Sequence, residues 1–191
     1  MPILHAPILE QAGFVESAKA AIEYVAQSDG ATQYWQLSEP INLMPNDVIQ
    51  FGLAKFTNVG TFKRFFGSND FTFSLDTGAD GDKFRLRSIT SATLNGANIA
   101  SDATLIPTAG DNMIEAIVGA TRSIPTLLSL GNTNLVSAAI HNFKVIRSGV
   151  VIHEIPLTNK AQGATQLATV GNVNAFMPNY TELVWKDKSK L

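Results

Sequence analysis

From about residue 33 onward, apolar side chains recur at every second position in short runs separated by turn residues. That period puts alternate side chains on opposite faces of an extended chain, so it describes half-buried β-strands rather than amphipathic helices. Tyr34-Trp35-Gln36-Leu37 opens the pattern, and Val48-Ile49-Gln50-Phe51-Gly52-Leu53 follows a Pro45-Asn46-Asp47 turn. Phe71-Thr72-Phe73-Ser74-Leu75 and Phe84-Arg85-Leu86-Arg87 flank the turn-rich stretch from Asp76 to Gly81, which predicts a hairpin. Asn95-Gly96 and Ser148-Gly149 suit the positive φ of two-residue turns. Residues 94–99 therefore read as a tight reversal and 143–154 as a long hairpin. Further strands are expected at 91–94, 113–118, 125–130, 140–147, 150–155 and near 180–185. With roughly nine or ten short strands and no alternation of strand with helix, the expected class is mainly β, an antiparallel two-sheet sandwich of jelly-roll type. Phe51, Phe73, Leu86, Ile117, Phe143 and Val145 are the predicted inward-facing residues.

The N-terminal part has a different period. Pro7 precedes and Asp29-Gly30 follows a stretch of good helix formers, which predicts a short α-helix over residues 8–28. Ile8, Val15 and Ile22 recur every seven residues, with Gln11, Ala18 and Val25 between them. This seam has two possible destinations: the chain's own β domain, or sister helices and the surface of a larger assembly. Gln11 and Ala18 weaken a coiled coil, and the seam is shorter than a self-sufficient one. The expected organisation is an attachment segment at 1–30, with Ile8, Val15, Ala18, Ile22 and Val25 as its oligomerisation residues. A jelly-roll domain with a C-terminal extension follows at 31–191.

Charge and residue chemistry exclude several functions. Hydrophobic residues make up 45% of the chain, enough for a full core. Charged residues are only 16%, leaving a surface of Asn, Thr, Ser, Gln and Gly suited to assemblies and neutral partners. A net charge of −2 without a basic block predicts no nucleic-acid partner. Lys186, Lys188 and Lys190, interrupted by Asp187, read as a solvated tail. There is no cysteine, hence no disulfide, thiolate nucleophile or cysteine zinc site, which fits synthesis in a reducing cytosol. No secretory signal and no membrane-spanning run is expected.

Candidate chemistry is sparse. His5, His141 and His153 have no metal-ligand spacing, although His141 and His153 could face each other across a 140–155 hairpin. No Gly-x-Ser-x-Gly elbow is present. The carboxylates Asp76, Asp80, Asp82, Asp102 and Asp111 are read as turn residues, and Glu115 stands alone on an apolar strand. Paired carboxylates would be needed for glycoside cleavage. Asp76, Asp80 and Asp82 share a loop, but their spacing departs from calcium-loop patterns, so a turn without an obligatory ion is expected. No cofactor is expected. Gly60-Thr61-Phe62-Lys63-Arg64-Phe65-Phe66-Gly67 carries a basic pair among aromatics. It suits stacking on a sugar or nucleic acid, or a strand with Phe62 and Phe66 in the core, and the strand is the expectation.

Several of these elements together resemble the concanavalin-like jelly roll of laminin-G-type and legume-lectin-type domains. They are Leu43 to Leu53, the 71–87 hairpin, Leu94-Asn95-Gly96 and Ala139-Ile140-His141-Asn142-Phe143-Lys144-Val145. The small, polar stretch from Ile155 to Met177, ending in Asn179-Tyr180-Thr181-Glu182-Leu183-Val184-Trp185, resembles the ends of jelly-roll proteins of tailed-bacteriophage virions. This resemblance implies a non-enzymatic structural protein displayed on the virion: a capsid decoration, head fibre or tail fibre. It would be made in the host cytoplasm, form homo-oligomers (a trimer by analogy) and contact other virion proteins. The resemblance also leaves room for a lectin-like module that binds a host surface glycan, and, further off, a polysaccharide-degrading enzyme.

Overall fold

The structure, a computed structural model, describes residues 23–58, 60–130 and 133–191. Its strands are β1 (Tyr24–Ala26), β2 (Trp35–Leu43), β3 (Val48–Thr57), β4 (Arg64–Gly67), β5 (Ser74–Asp76), β6 (Arg85–Arg87), β7 (Ile89–Leu94), β8 (Ala97–Asn98), β9 (Ala109–Val118), β10 (Arg122–Leu127), β11 (Ser137–Arg147), β12 (Val150–Ile155), β13 (Thr165–Gln166), β14 (Ala175–Phe176) and β15 (Trp185–Asp187). All the pairings between them are antiparallel. A seven-stranded sheet runs β13-β14-β2-β10-β4-β5-β6, a six-stranded sheet runs β12-β11-β3-β9-β7-β8, and β1 and β15 form a separate pair. The protein is mainly β and sandwich-like. Among the described residues no helix is long and apolar enough to cross a membrane.

The core lies between the two large sheets. Phe51 of β3 meets Phe65 and Phe66 of β4, each at 6.1 Å between ring centroids, and Phe66 meets Phe73 at 5.7 Å. Such pairs add about 0.5–1.5 kcal/mol each beyond area burial. The predicted core residues Phe51, Phe73, Phe143 and Val145 are buried. Leu86 is half-buried against the core. Ile117 is a correction: in β9 the inward residues are Ile114, Ala116 and Val118, and Ile117 points to the other side.

The turns follow their residue chemistry. Asn95 and Gly96 have φ of 51° and 80°, and Ser148 and Gly149 have 50° and 78°, the mirror-image turn between β7 and β8 and between β11 and β12. The β2–β3 turn is pinned by Asp47. It accepts from the Met44 amide and, through both carboxylate oxygens, from Arg147 at 2.9 and 2.8 Å.

Other expectations need correction. Tyr24–Ala26, assigned by sequence to the end of a helix over 8–28, is a strand paired with Trp185–Asp187. Val25 is fully buried beside Ala54, Ala139 and Leu191. Ile8, Val15, Ala18 and Ile22 lie outside the described residues, as does His5. The strand expected near 180–185 is a 3₁₀ turn at Glu182–Val184 followed by β15.

Candidate binding surface

β4, β5 and β6 align Arg64, Asp76 and Arg85 in one cross-strand row on the outward side of the seven-stranded sheet. Phe65, Phe66, Leu75 and Leu86 occupy or pack against the core, so alternation sends the charged residues outward. Asp76 is fully buried and accepts from Arg85 Nε at 2.8 Å, Arg85 Nη2 at 2.9 Å, the Ser74 hydroxyl at 2.7 Å and the Gly78 amide. Arg64 is buried too; its Nη1 donates to the Ser68 carbonyl at 3.2 Å, and its Nε has no hydrogen-bond partner. Burial lowers the Arg64 pKa, against the raising pull of Asp76.

Two phenylalanine rings cover these guanidiniums. Phe62 lies 4.2 Å from the Arg85 guanidinium, and Phe71 lies 4.6 Å from that of Arg64. Phe62 is 40% exposed and Phe71 51%. Phe62, expected in the core, is therefore a surface residue, while Phe66 is buried as expected. Both rings sit on left-handed backbone, with φ of 57° and 61°. For a bulky side chain this conformation costs on the order of 1–3 kcal/mol. Leu128 and Leu157 share it, at φ 63° and 57°, but both are fully buried, so packing offsets their strain. The exposed rings set against it their cation–π contacts and backbone hydrogen bonds, from the Phe62 amide to the Gly78 carbonyl, from the Phe71 amide to the Ser68 carbonyl and from Arg87 Nη1 to the Phe71 carbonyl.

The loop that carries Phe71 also borders a groove. Ser68 and Thr72 donate to Asp70, whose pKa is drawn down to about 2, first by the Ser68 hydroxyl and then by the Thr72 amide and hydroxyl. Asn69, beside it, lines an open groove of about 460 Å³ together with Tyr34, Gln36, Glu39, Pro125 and Thr126. Hydroxyl, amide and ring groups are thus offered next to the loop that carries Phe71.

The remaining candidates are dispersed. His153 pairs with Val145, not His141. Burial first, then Arg147, lowers the His153 pKa. His141 is buried across the bare Cα of Gly52, and its Nε2 lies 2.7 Å from Asp111, which is on β9 rather than in a turn. Lys188 Nζ reaches Asp111 at 2.8 Å and Glu23 at 3.1 Å, so this lysine is held between two half-exposed carboxylates rather than in a free solvated tail. In the 76–82 loop the Asp76 carboxylate is taken by Arg85 and that of Asp80 by Lys83. Among the described residues no three His, Asp or Glu side chains are grouped to share a metal ion. Glu115 accepts from Gln50 at 2.7 Å. Sequence alone missed the rings over the arginines; six Phe and three Arg within residues 62–87 were the available signal. Compared with protein families, curated proteins and solved structures, the chain finds no match.

Proposed function

We propose that this chain is a non-enzymatic structural protein displayed on a tailed-bacteriophage particle, with a concanavalin-like jelly-roll topology, working by presenting the outward face of its seven-stranded sheet to a partner. The observation that carries the presenting role is the pair Phe62 and Phe71, held exposed on left-handed backbone over the half-buried Arg85 and the buried Arg64. Strain kept at an exposed site points to use of that site, and aromatic rings with arginine are the side chains that dominate contact energies at interfaces. The virion assignment rests on the resemblance of the C-terminal stretch. The test is mass spectrometry of purified particles from the producing host, with gold-labelled antibody placing the chain. Its absence from particles defeats the virion reading. For the presenting surface, Phe62→Ala with Phe71→Ala is expected to weaken co-sedimentation with particles or host cells at least tenfold, the loss of about 1.4 kcal/mol. Unchanged binding defeats that reading.

A second reading, glycan binding for host adsorption, is favoured by the groove at Tyr34, Gln36 and Asn69. Reproducible hits on a glycan array, lost in Tyr34→Ala, support it.

A further inference from the structure

Three of the chain's five arginines, Arg64, Arg85 and Arg87, project from the outward side of β4 and β6, and one carboxylate, Asp76, stands between them. Among the described residues the only arginines in ion pairs are Arg85, with Asp76, and Arg147, with Asp47. Arg64 and Arg87 are left without a carboxylate. Each donates instead to a neutral carbonyl of the same turn, Arg64 to Ser68 at 3.2 Å and Arg87 to Phe71 at 2.9 Å.

The two guanidiniums are brought toward each other over small residues. In the row next to Arg64, Asp76 and Arg85, Gly67 stands opposite Ser74 and Ser74 opposite Arg87. A Cβ on Gly67 would lie 3.2 Å from Arg64 Nη1, so the Arg64 guanidinium reaches over this second row. Burial is the first cause lowering the Arg64 pKa; Asp76 opposes it, and Arg87 lowers it more than Arg85 does. Arg64 is thus a buried cation with an unpartnered Nε, facing a second cation. A carboxylate bonded to both would offset the cost of that burial and satisfy the spare donors.

The surroundings favour a sugar over a peptide as its carrier. The sheet edge beside Arg87 is closed to an added strand, because the Phe84 amide donates to the Thr104 carbonyl at 3.1 Å and the Leu86 amide to the Ser101 hydroxyl at 3.2 Å. The groove at Tyr34, Gln36, Asn69 and Thr126 offers ring, amide and hydroxyl groups instead. Its strand β10 is two strands from β5, roughly 10 Å at strand spacing.

We propose that Arg64 and Arg87 form a carboxylate site for an acidic glycan of uronic-acid type, with the adjoining sugars in the groove. The Phe71 ring covers Arg64, so the ligand meets Arg87 first and Arg64 as the ring turns aside. This rests on the glycan-binding reading of the same face and names the class of glycan.

The full chain is titrated with D-glucuronate, D-glucose, acetate and a hexaglutamate peptide, followed through the nitrogen–proton NMR signal of the Arg64 Nε–H, which Arg64→Lys identifies. Glucuronate should move that signal saturably and bind about tenfold more tightly than the other three probes. Arg87→Gln, at a half-buried position, should weaken glucuronate about tenfold. Asp70→Asn should tighten it about twofold, because the exposed Asp70 carboxylate repels a second one. Glucose binding as tightly as glucuronate keeps the glycan reading and overturns this inference; no binding of either sugar overturns both. Acetate as tight as glucuronate overturns it too, since no sugar is then recognised, and tighter hexaglutamate makes the partner an acidic protein. An unchanged affinity in Arg87→Gln with β circular dichroism intact overturns it equally.

Discussion

Phe73 and Phe143 have no exposed surface, while Ile117, on a strand of the same core, is half-buried and faces outward. Truncation of Phe73 or Phe143 to Ala should cost about 3–5 kcal/mol, through lost transfer energy plus a cavity. Ile117→Ala should cost about 1 kcal/mol or less. Urea unfolding of the three variants checks this order, and equal losses would mean β9 is placed in the wrong register. Sequence misassigned Ile117 because both parities of β9 are apolar: Met113 and Ile117 alternate with Ile114, Ala116 and Val118. Period two reveals a strand there without choosing its face. Gly52 is a second diagnostic residue. A Cβ on it would lie 2.2 Å from the His141 ring, which is fixed in turn by Asp111. Gly52→Ala should therefore lower stability by about 1–3 kcal/mol, and His141→Ser in the same chain should recover part of the loss. Thermal melting of the two single variants and the double variant tests that coupling; additive losses would show that the ring is not the obstacle.

At the scale of elements, the end of β15 and the turn after it are held by charges that no local pattern reveals. Lys188 lies 77 positions from Asp111 and 165 from Glu23, so three alternating lysines read as a solvated run until the fold brings their partners to them. Burial pushes the Asp111 carboxyl up, but hydrogen bonds from Lys188 and His141 outweigh it and hold its pKa below the ordinary value. Burial likewise pulls Lys188 down, and the bonds to Asp111 and Glu23 outweigh that and raise it. A depressed carboxyl stabilises the fold above its unfolded pKa, near 4, and the contribution disappears as pH falls through the folded value. A raised lysine stabilises below its unfolded pKa, near 10.4, and the contribution disappears as pH rises through the folded value. Lys188→Met should therefore be less stable than the parent at pH 7, by about 1 kcal/mol or less because Asp111 is half open to solvent. At pH 2 the difference should vanish. A difference of the same size at both pH values would assign the effect to packing of the lysine stem instead. The hairpins present the opposite case. Asn95-Gly96 and Ser148-Gly149 carry their turn chemistry within two residues, so β7–β8 and β11–β12 were legible from sequence alone.

At the scale of the whole molecule, the two ends of the described chain close on each other and on β11. β1 pairs with β15, the Ser28 hydroxyl donates to the Val136 carbonyl at 2.7 Å, and the Ser137 hydroxyl donates to the Ser28 carbonyl at 3.0 Å. Val25 and Ala26 are fully buried by this closure. Sequence placed a boundary near residue 30 because Asp29-Gly30 stops a helix; the Asp29 carboxylate instead caps a turn, accepting from the amides of Ala31, Thr32 and Gln33. The turn signal was real, but what precedes it is strand β1, paired with β15 beside the two large sheets. A chain starting at Ala31 loses the burial of Val25, about 1.5–3 kcal/mol, and the Ser28 hydrogen bonds, each about 0.5–1.5 kcal/mol. A chain starting at Glu23 keeps both. The Ala31 chain should therefore melt roughly 5–24 °C below the Glu23 chain, from a loss of about 2.5–6 kcal/mol at about 2–4 °C per kcal/mol for this size. Both should retain β circular dichroism, because the phenylalanine core between the large sheets does not involve β1. Equal melting temperatures would mean that β1 adds nothing to the fold. Collapse of the Ala31 chain to an unfolded spectrum would mean that closure of the ends, rather than the phenylalanine core, decides whether the sandwich forms.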